Sequence, residues 1–199
     1  MNFFSYFPSL IYRDERPDFV ENVFSVCSDF FDNIRTPENH FLQTENLVGT
    51  PELRELENYI LLSSVEILRQ QGYDVTQYDF YISTLWGQEL NQFAHTDIHT
   101  HGNSQISGWF FIETPENGSC PIYYDARLNK AMLQLNRVQT SEITVASDSI
   151  IFNNIIPGTI LFNNSWIQHQ LTVNKSNLPT RCVHFIVSHR DIFFNKKKV

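Results

Sequence analysis

A mainly β fold, a sandwich or jelly roll with helices buttressing one face, is what this sequence predicts. Three observations carry the expectation. Both segments with helical period precede residue 73, and the rest of the chain breaks into eight to ten short β-branched and aromatic stretches separated by turn signals. The 199 residues are 42% hydrophobic and 14% aromatic, with 17 Phe, which suits one packed core and disfavours a disordered or linker protein.

The elements follow in order. Residues 17–35 place Phe19, Val20, Val23, Phe24, Cys27, Phe30 and Phe31 on one helical stripe, with acids opposite. Residues 50–71 open with Thr50 as N-cap and Pro51 at the first helical position, run through Leu53, Leu56, Ile60, Val65 and Leu68, and stop at Gly72. Strands are expected at 77–87, 92–100, 105–113, 120–125, 131–136, 142–146, 149–154, 158–163, 166–173 and 181–189, broken at Pro115-Glu116-Asn117-Gly118 and Pro157-Gly158. One domain is expected over 1–199: a helical buttress with an N-terminal strand over 1–72, a β core over 73–190, and a tail over 191–199 with three lysines.

The formal charge is -8, unevenly spread: residues 70–126 hold seven acids and no Lys or Arg, whereas 127–199 hold three acids and nine bases. A broad nucleic-acid-binding face is disfavoured by that balance. Three scattered cysteines, Cys27, Cys120 and Cys182, are too few for a disulfide framework and read as free thiols of a reducing compartment. The N-terminal stretch has no basic region before its apolar run, and no run approaches the ~20 apolar residues of a membrane span. A cytoplasmic protein with no membrane partner is expected.

Chemistry concentrates in Phe93-Ala94-His95-Thr96-Asp97-Ile98-His99-Thr100-His101. In an extended chain, residues of equal parity share a face, so His95, Asp97, His99 and His101 line up together. Four metal-competent groups on one face make a poor apolar core surface, since unpaired polar groups are costly to bury; a solvated outer strand is the competing reading. A third ligand must come from elsewhere, and His169 is the candidate. Twelve residues on, Arg181 opens the apolar run Arg181-Cys182-Val183-His184-Phe185-Ile186-Val187 and places a cation deep in the barrel.

The stretches HTHGNSQISGWFFI (99–112), YYDAR (123–127), PGTILFNNSWIQH (157–169) and RCVHFIV (181–187) together resemble the 2-oxoglutarate- and Fe(II)-dependent oxygenases. Within them the likeness is to small oxygenase-like proteins of bacteria and of tailed phages of cyanobacteria, relatives of the prolyl hydroxylases. The opening SYFPSLIYRDE looks similar to that group as well. The resemblance implies a double-stranded β-helix with Fe(II) at its open end, 2-oxoglutarate and dioxygen as co-reactants, and hydroxylation of an unidentified substrate with release of succinate and CO2. The cell would be bacterial or a phage-infected host.

Most such oxygenases ligate iron through His-x-Asp/Glu and a distal His, leaving three open sites. Here two pairs compete. Alignment on the strand carrying Gly108-Trp109 favours His99, His101 and His169, whereas the spacing from His95 to the same strand suits His95, Asp97 and His169. The resemblance further implies that Arg181 binds the far carboxylate of 2-oxoglutarate. Asp125 and Arg127 read equally as a substrate contact or an ion pair fixing a loop at the barrel mouth. Ser165, Asn164 and Trp166 are candidates for that mouth, although Trp166 reads equally as core. His184 lies, by parity, on the face opposite Arg181 and reads as structural. Two other functions remain open: a cupin-like metalloenzyme that does not use 2-oxoglutarate, and a non-catalytic jelly-roll interaction module.

Overall fold

In the computed structural model, residues 8–36, 39–127, 135–136, 138 and 142–192 are described. Strand β1 (Ile11–Glu15) leads through a 3-10 turn into helix α1 (Val20–Ile34), and β2 (Phe41–Gln43) leads through a second 3-10 turn into α2 (Arg54–Gln70). Seven strands follow among these residues: β3 (Tyr78–Leu90), β4 (Ile106–Glu113), β5 (Pro121–Tyr124), β6 (Ser149–Ile151), β7 (Thr159–Asn164), β8 (His169–Leu171) and β9 (Thr180–Asp191). Six of the strands form a sheet in the order β1-β7-β4-β9-β3-β2, and three form a smaller one in the order β6-β5-β8. Neighbours in both sheets pair antiparallel. The result is the mainly β jelly roll with N-terminal helices that the sequence predicts.

Alternation along the central strands divides the core in two. On one face of the large sheet, Ile106, Phe110 and Ile112 of β4 and Val183, Phe185 and Val187 of β9 pack against the helices. The helices answer with Val23, Cys27 and Phe31 of α1 and Leu56, Ile60 and Ile67 of α2. On the other face, Trp109, Phe111, Leu161 and Cys182 pack with Tyr123 and Leu171 of the small sheet. A strand covered on both faces reads as a continuous apolar run, which is why β4 and β9 carry no polar/apolar alternation to announce their inner face. Among the described residues, no helix is long and apolar enough to cross a membrane.

The helix ends show which local signals act. Thr50 makes no side-chain cap; Pro51 instead starts a 3-10 turn over Pro51–Leu53 before the α-helix begins. At the far end Gly72 sits at φ +93°, with its N–H on Arg69 O and the Tyr73 N–H on Leu68 O. That is the left-handed glycine stop the sequence signals.

Several expected strands differ. Residues 92–100 form no strand: Phe93 takes a φ of 71°, and the segment meets the small sheet through an isolated bridge between His99 and His169 and through hydrogen bonds between Thr96 and Leu171. Residues 142–146 form bends and turns, and β6 and β8 are shorter than expected. Residues 131–134 of the expected strand at 131–136, and 193–199 of the tail, lie outside the described residues.

Gly108 sits on β4, paired with Phe162 of β7 on one side and Phe185 of β9 on the other. A Cβ there would lie 1.9 Å from the Leu161 carbonyl oxygen and 2.5 Å from Phe185 Cζ. The first contact is with backbone, which cannot swing aside. Gly108→Ala is therefore expected to destabilise the fold by ~3 kcal/mol or to prevent folding, and chemical denaturation checks it.

Candidate metal centre

Backbone hydrogen bonds bring three of the predicted histidines together. The His99 N–H donates to His169 O (3.1 Å) and the His169 N–H to His99 O (3.0 Å), while the His101 N–H donates to Ser165 O (2.9 Å). The 91–105 segment is thereby pinned along β8 and the turn that precedes it. Ser104 Oγ donates to the His101 carbonyl at 3.0 Å, closing the turn after the pair.

The side chains converge. Ring centroids are 4.9 Å apart for His99 and His101, 4.6 Å for His99 and His169, and 5.1 Å for His101 and His169. Two of the rings are oriented by main-chain carbonyls: His99 Nδ1 lies 2.7 Å from Asp97 O, and His169 Nδ1 lies 2.7 Å from Ile167 O. Since a carbonyl only accepts, each Nδ1 is assigned the proton, and Nε2 keeps its lone pair. His169 Nε2 then faces His101 Nε2 at 3.2 Å. Hydrogen-bonding one imidazole nitrogen to a carbonyl while the other stays free is how proteins orient metal-binding histidines.

A fourth histidine joins them. His184, on β9 opposite Trp109 of β4 and Trp86 of β3, has its ring 4.8 Å from that of His101. One potential ligand atom from each of His99, His101, His169 and His184 lies within 4.8 Å of the other three. Trp86 stacks on His184, and Trp109 meets His169 and His184 at 5.0 and 5.5 Å between ring centroids.

The surroundings hold His101, His169 and His184 neutral. Burial, with the neighbouring His99, pushes His101 down to about 4. Burial pushes His169 down to about 3, against the partial support of its bond to Ile167. His184 is also held well below the ordinary value, by burial and then by the three other rings. Close by, the Trp109 Nε1 and Tyr123 Oη are buried without a hydrogen-bond partner. Burial raises the Tyr123 phenol well above its ordinary value, so it stays a donor.

The remaining predicted residues lie elsewhere. His95 and Asp97 are exposed and outside the cluster. Asp125 and Arg127 pair with each other, Arg127 Nε to Asp125 Oδ1 at 2.9 Å, and line a separate cavity of about 230 Å³ with Tyr123, Tyr124 and Thr144. Ser165 is buried and meets the site through its carbonyl.

Arg181 lies on the helix side of β9. Its Nε donates to Glu89 Oε2 and an NH group to Glu113 Oε2, both at 2.6 Å, with its guanidinium 5.5 Å from the Phe24 ring. Glu89, wholly buried, also accepts from Arg35 at the end of α1. Burial acts to raise the Glu89 carboxyl, yet the hydrogen bonds from Arg35 and Arg181 hold it below its ordinary value. Parity correctly separated Arg181 from His184, but the inner face belongs to His184. The available signal was pairing: the apolar residues sharing Arg181's parity, Val183, Phe185 and Val187, are the ones that match the helices' apolar stripe.

A family model described as 2OG-Fe(II) oxygenase matches residues 84–185, a little over half of the 199. No curated protein matches the sequence. Among solved structures, the chain is similar to a prolyl-4-hydroxylase of Pseudomonas putida, with a TM-score of 0.61 at 9% identity over 92% of this chain and 94% of that one. HygX from Streptomyces hygroscopicus, solved with nickel and 2-oxoglutarate bound, gives 0.59 at 12% identity, covering 90% and 83%. The α-ketoglutarate-dependent epimerase SnoN of nogalamycin biosynthesis gives 0.62 at 9% identity, covering 90% and 76%. At these identities the likeness is one of fold.

Two outcomes follow from the geometry. Between about pH 3 and 6.5 the folded, metal-free protein binds fewer protons at His101 and His169 than the unfolded chain does. Stability is therefore lost as pH falls through that window, and these groups cause no change above it. Calorimetry of chelator-treated protein is expected to give a Tm at pH 5 at least ~4 °C below that at pH 7. Arg181→Gln is expected to cost ~3 kcal/mol by leaving Glu89 and Glu113 short of a partner, while divalent-metal affinity, read by chelator competition, stays within about twofold.

Proposed function

The chain belongs to the 2OG-Fe(II) oxygenase family, and from that premise we propose that His99, His101 and His169 hold iron(II) for oxidation of an unidentified substrate with 2-oxoglutarate and dioxygen. The observation that carries the ligand assignment is the His99–His169 backbone bridge, which locks two chain segments together so that three imidazoles face one point. The donor set fits the metal: neutral imidazole suits iron among the first-row ions, and Nδ1 bonds at His99 and His169 leave Nε2 free.

The cosubstrate fits through different residues from those the sequence suggested. Arg181 is engaged on the helix side and takes no part in this reading. Trp109 Nε1 and Tyr123 Oη are buried donors with nothing to bond, and their rings lie 5.0 and 6.1 Å from the His169 ring. A carboxylate beside His169 would accept from both, satisfying groups that are costly to bury unpaired. Bound together, iron(II) and 2-oxoglutarate would activate dioxygen as the oxidant, one oxygen atom going to the substrate's C–H bond and the other into succinate as 2-oxoglutarate is decarboxylated with release of CO2. The chain's own part is to orient the imidazoles through main-chain carbonyls and to exclude water with Trp86, Trp109 and Tyr123.

Cys27, Cys120 and Cys182 are free, and two of them are buried, which supports a reducing, cytoplasmic setting. Anaerobic addition of Fe(II) and then 2-oxoglutarate is expected to produce a visible metal-to-ligand charge-transfer band. The band should vanish in His169→Ala and persist in His95→Ala. Iron-loaded, folded wild type that shows no band would count against 2-oxoglutarate and favour a metalloenzyme of the cupin type.

A further inference from the structure

His184 is the buried histidine that the family reading leaves without a task. Its side chain is almost wholly enclosed, with 2% of its surface exposed, and neither Nδ1 nor Nε2 has a hydrogen-bond partner. The contrast with its neighbours is sharp: His99 and His169 each have one nitrogen on a carbonyl. Trp86 stacks on the His184 ring and Trp109 meets its side, so the ring is held in place by packing alone. An imidazole fixed in an apolar frame, with a bare nitrogen turned toward three others, lacks an acceptor of its lone pair.

We propose that His184 is a fourth metal ligand, so that the centre presents four neutral imidazoles from three separate parts of the chain. The inference rests on the assignment of His99, His101 and His169 as ligands. Distances allow it. Two imidazole nitrogens on opposite sides of one ion, each at ~2.1 Å, are ~4.2 Å apart, and the widest separation among the four is within 4.8 Å. The rings need to close by about half an ångström around an ion, a motion within side-chain torsional freedom.

The chemical consequence is specific. Four neutral ligands leave the full 2+ charge on the ion, where a His-x-Asp triad would cancel part of it. They also fill four of six positions on an octahedral ion. A keto acid binding through two oxygens would take the other two, so one ligand would have to leave before dioxygen could bind.

Co(II) is the probe, added anaerobically to the full chain and to His184→Phe, His184→Gln and His99→Ala. Affinity is read by chelator competition, imidazole number by X-ray absorption, and folding by circular dichroism. Wild type is expected to bind one Co(II) through four imidazoles; His184→Phe should bind through three, at least tenfold more weakly. His184→Gln stands in if the Phe variant does not fold, and the wild-type imidazole count needs no variant. Three imidazoles in wild type, or folded His184 variants binding within twofold of it, would overturn the proposal while leaving the three-histidine centre intact. No Co(II) bound by wild type, or His99→Ala binding as tightly as wild type, would overturn the three-histidine assignment and this proposal with it.

Discussion

Strand β9 is the constraint on which the rest of the structure depends. It lies between β3 and β4 in the large sheet, with helices over one face and the small sheet over the other. No side chain on its central run can reach water, so each must suit one of two dry layers. Val183, Phe185 and Val187 complete the helix layer, while Cys182 and His184 enter the interior. A charged residue tolerates this setting only with counter-charges in reach, and β9 supplies one such case at its start. Arg181 stands opposite Glu89 of β3 and beside Glu113 of β4, and α1 delivers Arg35 to the same carboxylate. That network ties the end of α1 to three strand positions. Replacing one member strands a buried charge, so loss of a single partner is strongly destabilising.

How much of this was legible in the sequence depends on which physical rule was in play. Helical period found both helices, because an exposed helix must show a polar side. The interior strands were located but not oriented. Phe110 and Phe111, or Val183 and His184, are equally acceptable to an environment that is apolar on both faces. The segment 92–100 failed for a different reason. Its alternation of His, Asp and Thr imitates a strand, yet the left-handed Phe93 and the single His99–His169 bridge show a loop laid along a sheet edge. His95 and Asp97 consequently reach solvent while His99 and His101 turn inward. Parity holds only while the strand does.

The basic-free stretch over 70–126 also acquires a structural meaning. Its acids do not gather at the histidines: Glu89 and Glu113 serve the arginine network on the helix side, and Asp97 is exposed. The cluster is therefore all imidazole. In the metal-free protein burial disfavours the charged form of His101, His169 and His184, and so keeps these three neutral.

A dianionic cosubstrate entering a buried site must meet positive charge somewhere. In a centre with a His-x-Asp triad the metal's charge is partly spent on the aspartate, and a separate cation on the barrel wall is needed for the far carboxylate. The four-imidazole centre proposed above would change that balance: a dication ligated only by neutral rings would keep both charges, enough to neutralise two carboxylates in a low-dielectric interior, where such attraction is weakly screened. On the proposed four-imidazole centre the far carboxylate would need hydrogen bonds more than a counter-ion, and Trp109 and Tyr123 hold buried donors that are uncommitted. Releasing Arg181 to anchor the helix layer and admitting His184 to the interior are thus compatible on one strand. The alternation of β9 that sends one residue outward sends the other in.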